Sequence, residues 1–75
     1  MSGQDERLEL QRIALLHVLD RYPALELESC ITVANSVKHQ FRIRNRSTKR
    51  WHILESIDPD DFTRPEVEQI LNDLL

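Results

Sequence analysis

Apolar residues recur at helical spacing through the first third of the chain. Between Gln4 and Tyr22, Leu8, Leu15, Leu19 and Tyr22 share one face, and Ile13, Leu16 and Val18 widen it beyond a surface helix's usual stripe. The pattern predicts a helix that is central to a core or faces a partner as well. Ser2 is placed to cap it, with Asp5 three residues on, and Pro23 disfavours helical geometry at Tyr22 and ends it.

Residues 24–41 fit two periods. Leu25, Leu27, Ile31 and Val33 alternate with Glu26, Glu28 and Thr32, as in a strand. Leu27, Cys30, Ile31, Ala34, Val37 and Phe41 fall at helical spacing over four turns, with Glu26 and Glu28 at the start and Lys38 and His39 at the end to suit the helix dipole. The helical fit covers more residues, so a helix is the preferred expectation.

From 42 to 54 the choice is again between a helix and a hairpin. Trp51, Leu54 and Ile57 have helical spacing behind a turn at Asn45, Ser47 and Thr48. Alternatively, Phe41 and Ile43 alternate with Arg42 and Arg44, and Trp51 and Ile53 with Arg50 and His52, which would make a basic hairpin. The chain holds one glycine, Gly3, and tight hairpin turns favour glycine, which tilts the expectation toward the helix. After Asp58-Pro59-Asp60-Asp61 comes a helix-start signature. Thr63 is read as N-cap with Glu66 at N3, Phe62 and Val67 as a hydrophobic staple, and Pro65 lies in the first turn. Val67, Ile70, Leu71, Leu74 and Leu75 then line one face.

The architecture expected from these patterns is all-α, one compact domain over residues 1–75 with three to four helices and the terminal helices packed on the second. The alternative is α+β, with a basic β-hairpin at 41–54. At 75 residues the chain buries only about 60 % of its unfolded surface, and such a core supplies roughly 3–5 kcal/mol.

Charge changes the picture more than composition does. The net charge of −3 conceals three blocks. Residues 1–28 carry −3 (6 acids, 3 bases), residues 29–54 carry +6 with no acid, and residues 55–75 carry −6 (7 acids, 1 base). The basic block holds Lys38, Arg42, Arg44, Arg46, Lys49 and Arg50, with Phe41, Ile43 and Trp51 between them. Each base could neutralise a phosphate, and Trp51 could stack on an unpaired base, although core packing is the expected role for a lone Trp in so small a domain. The leading functional expectation is therefore a non-enzymatic, regulatory nucleic-acid-binding module, DNA or RNA, using Lys38, Arg42, Arg44, Arg46, Lys49, Arg50 and Trp51. The rival is a protein-interaction adaptor or inhibitor that meets an acidic or apolar partner through the apolar first helix and the acidic C-terminal helix. The apolar surplus of that first helix, together with Leu74-Leu75, also suggests a homodimer. In a third reading, the bases fold against acids as a solvated face.

Other chemistry finds no support in the spacings. Cys30 stands alone, so no intrachain disulfide can form, and its distances from His17 and His39 match no zinc-ligand pair. Asp58, Asp60 and Asp61 lack the glycine and glutamate of a calcium loop. No nucleophile elbow, phosphate loop or dinucleotide fingerprint occurs, so neither a cofactor nor catalysis is expected. A helix-turn-helix scheme over 25–57 lacks the small residue of the tight turn. The longest apolar run, Ile13 to Leu16, is too short for a membrane span, and no leader pattern opens the chain. These features suggest a reducing compartment, cytoplasm or a eukaryotic nucleus.

Overall fold

The computed structural model of the chain describes residues 3–75, with side chains from Glu6 onward. Helix α1 (Gly3–Leu19) is followed by strands β1 (Leu25–Thr32), β2 (His39–Asn45) and β3 (Trp51–Ser56), a 3₁₀ turn (Pro59–Thr63) and helix α2 (Pro65–Leu74). The strands form one antiparallel sheet in the order β1-β2-β3. The fold is thus α+β, and the all-α expectation of three to four helices is overturned. The alternative α+β reading, with a basic hairpin at 41–54, matches β2 and β3.

Two local features explain why residues 24–41 imitate a helix. β1 pairs with β2 in register from Leu25↔Asn45 to Leu27↔Ile43, then resumes at Ser29↔Arg42, leaving Glu28 as the extra residue of a bulge. The bulge resets the pleat, so the inward residues are Leu27 and then Cys30, three apart as on a helix. Glu26 and Glu28, expected at the start of a helix, instead meet arginines across the strands, with Glu26 directly opposite Arg44. Glycine scarcity also misleads at the turns. Asn35 takes φ 60° between β1 and β2, and Lys49 takes φ 67° between β2 and β3, so both hairpins obtain a left-handed residue without glycine.

α1 matches the predicted helix, ending at Leu19 where Tyr22 N–H closes onto the Leu19 carbonyl at 2.9 Å. The Ser2 cap lies outside the described residues, as does the Asp5 side chain. The Thr63–Glu66 capping box does not form. Arg64 is the N-cap of α2 with Pro65 at its first position, while the Thr63 hydroxyl donates to the Asp60 carbonyl at 2.8 Å. The carboxylate that closes this region is Asp61, accepting from the N–H groups of Ile57 (2.8 Å) and Asp58 (3.0 Å). Those two bonds hold the Asp61 carboxyl below the usual range.

β2 is central and alternates strictly: His39, Phe41, Ile43 and Asn45 are buried, and Gln40, Arg42 and Arg44 face the other way. Phe41 and Ile43 join Leu15 and Leu19 of α1, Leu25, Leu54, Phe62, and Leu71 and Leu74 of α2 in one core. Leu74 is therefore buried by the domain itself, while Leu75 is exposed. α1 is also tied to the far end of the sheet through the Ile57 carbonyl, which accepts from Gln11 Nε2 (2.7 Å) and Arg7 Nη2 (2.9 Å).

His39 is the buried titratable group of this core. Its Nδ1 lies 3.2 Å from Thr32 Oγ1, and its Nε2 has no partner among the described residues. Burial first, and the positive Arg7 second, hold its pKa below the ordinary imidazole value. The folded state thus binds this proton less readily than the unfolded chain. The stabilisation it confers is present above the unfolded pKa of about 6.5 and is lost as pH falls through it toward the folded value. The urea midpoint is expected to drop between about pH 7.5 and 5, and His39→Gln is expected to flatten that slope. An unchanged slope in the variant would remove His39 as the cause. Glu9, Glu26 and Asp61, all held low, act in a separate window, losing their stabilisation below about pH 4.5.

Candidate interaction surface

The outward positions of the three strands make the open face of the sheet. Because side chains alternate, the pairing Arg44↔Trp51 and Arg42↔Ile53 places Arg42, Arg44, Trp51 and Ile53 on one surface, with Glu26, Ser29 and Ile31 of β1 beside them. Neither helix covers this surface. Trp51 is 51 % exposed, Ile31 55 % and Ile53 39 %. The expectation of Trp51 in the core fails because its pleat position points outward, opposite Arg44. Instead the Arg42 guanidinium carbon sits 4.1 Å above the Trp51 ring, at cation–π distance. Ile31 and Ile53 flank a shallow depression of about 150 Å³ floored by Ser29, Gln40 and Arg42.

The six expected phosphate-binding residues divide into three groups. Arg42 and Arg44 are taken up within the face. Arg44 Nη2 donates to Glu26 Oε2 at 2.6 Å and its Nη1 lies 3.4 Å from Glu28 Oε1. Arg42 Nε lies 2.8 Å from Glu28 Oε2. That Nε makes no directional hydrogen bond, so this contact is Coulombic. Hydrogen bonding from Arg44 holds the Glu26 carboxyl below its usual range, with Arg46 and Lys49 adding weaker attraction, and Glu26 raises Arg44 in return. Arg46, Lys49 and Arg50 are exposed together on the β2–β3 hairpin tip, and none forms an ion pair among the described residues. Lys38 is exposed at the opposite end of the strands, in the β1–β2 turn.

The acids that meet the basic block are thus Glu26 and Glu28. A signal for them existed in the sequence: Leu25-Glu26-Leu27 and Arg42-Ile43-Arg44 alternate with period 2 and carry opposite charges.

A second apolar surface lies on α1. Leu10, Ile13 and Leu16, spaced by three, form an exposed stripe on the side away from the sheet, which answers to the width of the predicted hydrophobic face. Residues beyond the reach of sequence reasoning are the buried polar ones. Asn45 is 3 % exposed. Its Nδ2 donates to the Leu74 carbonyl at 2.8 Å, and its Oδ1 accepts from Ser47 N–H (2.9 Å) and Thr48 N–H (3.1 Å). It shapes the hairpin tip and fastens it to α2.

No helix among the described residues is long and apolar enough to cross a membrane, and no group of three His, Cys, Asp or Glu is placed there to hold a metal ion. No family model matches the chain, no curated protein matches its sequence, and no solved structure matches its fold.

Proposed function

We propose that this chain is a small non-enzymatic protein-interaction module that meets its partner through the open face of the sheet. The observation that carries this reading is the uncovered set Ile31, Trp51 and Ile53, lying on one surface among the ion pairs of Arg42 and Arg44. Binding hot spots are enriched in Trp and Arg, and a desolvated patch with a charged rim is the usual anatomy of a protein interface. Pre-paired arginines suit this better than phosphate binding, since each would have to leave a carboxylate before it could take a phosphate. The non-enzymatic part rests on the same geometry. The buried imidazole of His39 pairs with a threonine, and its free Nε2 is enclosed.

A nucleic-acid reading keeps one specific observation, the cluster of Arg46, Lys49 and Arg50 at the hairpin tip beside Trp51. Both readings are tested on one set of proteins. With the photo-crosslinker benzoylphenylalanine replacing Ile31 or Ile53 in cells of the source organism, a discrete adduct to a protein is expected from both positions. A control at Gln69, on the exposed side of α2, is expected to give none. Absence of adducts from both sheet positions would defeat the interaction module. In parallel, duplex DNA and single-stranded RNA are titrated at two salt concentrations. Micromolar binding to duplex with a log–log salt slope of about −3, lost in Arg46→Glu/Arg50→Glu, would transfer the function to a three-phosphate contact at the tip.

A further inference from the structure

The edge of β3 carries an inference that goes beyond that reading, since it concerns the rim of the sheet and not its open face. Asn45 N–H donates to the Arg50 carbonyl at 2.8 Å, and the next residue, Arg46, turns its N–H the other way, to the Ala24 carbonyl at 2.9 Å, so the odd-numbered residues of β2 are those that face β3. Antiparallel pairs alternate, so Arg50, His52, Leu54 and Ser56 direct their backbone groups toward β2. Trp51, Ile53 and Glu55 direct theirs away, to the open edge. The other edge, β1, is broken by its bulge at Glu28, a common way of blunting an edge. β3 has no bulge, no proline and no lysine within its six residues, Trp51-His52-Ile53-Leu54-Glu55-Ser56.

Charge runs along this edge in one direction. Lys49 and Arg50 precede β3, while Glu55, Asp58 and Asp60 lie at its end and in the turn that follows. A second β3 laid parallel would set like charges together, and one laid antiparallel brings each basic end to the other's acidic end. The basic block between two acidic ones, which the sequence shows, is thereby complementary to itself across a two-fold axis. Beside the edge, an open groove of about 600 Å³ between β3 and α2 is lined by apolar Leu54, Ile57, Val67 and Ile70 together with charged side chains, the bases Lys38 and Arg64 among them. It has room for side chains that a docked strand would turn toward the helices.

We propose that two copies of this chain associate by antiparallel pairing of β3 with itself about Ile53, joining their sheets into one of six strands. Only the outward-directed residues can bond, and centring the pairing on Ile53 is the register that uses all three of them. Ile53 meets the second copy's Ile53, and Trp51 meets its Glu55. On the inner side His52 and Leu54 stand opposite one another above the groove. Continued outward, Lys49 and Arg50 reach the second copy's Ser56 and Ile57, next to Asp58 and Asp60. The contact is isologous, so it closes as a dimer instead of growing into a fibre. It also carries the apolar face continuously across the pair, from Ile31 of one copy to Ile31 of the other.

Sedimentation velocity on the full chain, from about 5 to about 500 μM, tests this, since a short edge contact of this kind sits at the weak end of the interface range. The wild type is expected to pass from monomer to dimer, with the transition moving to higher concentration as salt is raised. Ile53→Pro removes an N–H that points away from β2, so the ladder within the sheet survives and the edge contact does not. It is expected to keep its far-UV circular dichroism and remain monomeric throughout. Should that variant fail to fold, charge exchange decides. Lys49→Glu/Arg50→Glu alone and Glu55→Lys/Asp60→Lys alone are each expected to be monomeric, and their equimolar mixture to recover the dimer. A wild type that stays monomeric at the highest concentration, a folded Ile53→Pro that still dimerises, or a mixture that does no better than its components would overturn self-pairing. If the wild type is monomeric yet position 53 crosslinks to a different protein, self-pairing fails and the interaction module stands. If neither position crosslinks to anything, the module itself fails.

Discussion

Phe41→Ala is expected to leave the chain unfolded at room temperature in the absence of stabilising solutes. Phe41 is fully buried at the middle of the central strand, where its ring meets Phe62 edge-on at 5.2 Å and 86°. It joins the sheet to the segment between β3 and α2, so its loss opens a cavity that no single neighbour can fill. Phe-to-Ala changes in cores cost about 3–5 kcal/mol, and the aromatic pair adds about 0.5–1.5 kcal/mol beyond its buried area. A domain of this size holds roughly the same amount in total. Far-UV circular dichroism and urea titration check the outcome. Ile43→Val, on the same strand and equally buried, serves as the comparison, with an expected cost of about 0.5–1.5 kcal/mol and a cooperative transition retained. If Phe41→Ala unfolds cooperatively within about 1 kcal/mol of the wild type, the core is not centred on this ring.

The second large effect is expected at Asn45, a polar residue. Asn45→Ala removes one donor and one doubly used acceptor at a buried site. The Leu74 carbonyl and the N–H groups of Ser47 and Thr48 are left without their partner. At about 1 kcal/mol for each bond, with the added cost of a buried carbonyl left bare, the loss is about 2–4 kcal/mol. Asn45→Asp separates the two roles. It keeps the acceptor for the turn but replaces the donated bond with a carboxylate facing a carbonyl at the C-terminal end of α2, where the helix dipole is also negative. Urea titration is expected to rank both variants well below the wild type. Hydrogen exchange is expected to show α2 loosened in both, and the hairpin amides of Ser47 and Thr48 deprotected chiefly in Asn45→Ala. Equal protection of those amides in the two variants would mean that the side chain does not hold the turn.

These two residues also show how far the sequence could be read. Phe41 was visible as an apolar residue in either reading of its segment, because both a helix and a strand would bury it. Asn45 looked only like a loop marker. Its burial depends on α2 bringing the Leu74 carbonyl beside the hairpin, a contact between positions 29 residues apart that no local pattern encodes. His39 and Gln11 are similar, buried polar groups whose environment is assembled from both ends of the chain.

The candidate surface was legible in part. The basic block was plain, but its meaning depended on which acids came near it, and pairing register decides that. The register that sets Glu26 opposite Arg44 also brings Glu28 beside Arg42, so two of the six bases are ion-paired within the sheet face. Four bases form no ion pair among the described residues: Arg46, Lys49 and Arg50 at the hairpin tip and Lys38 at the opposite end, and Lys49 and Arg50 are the two that meet a second copy in the proposed pairing.

The linear sequence by itself determined the two terminal helices, the apolar excess of the first, and the alternation of charge along the chain. Each of these is a periodic or additive property of neighbouring residues. The tertiary structure decided that residues 25–56 are a sheet. Helix and strand periods nearly coincide over so short an apolar set, and a bulge and two left-handed non-glycine residues hide the strand signals that remain. What broke the tie was burial. A three-stranded sheet presents one apolar face on which both helices pack, and that energy belongs to the assembled core rather than to any one segment.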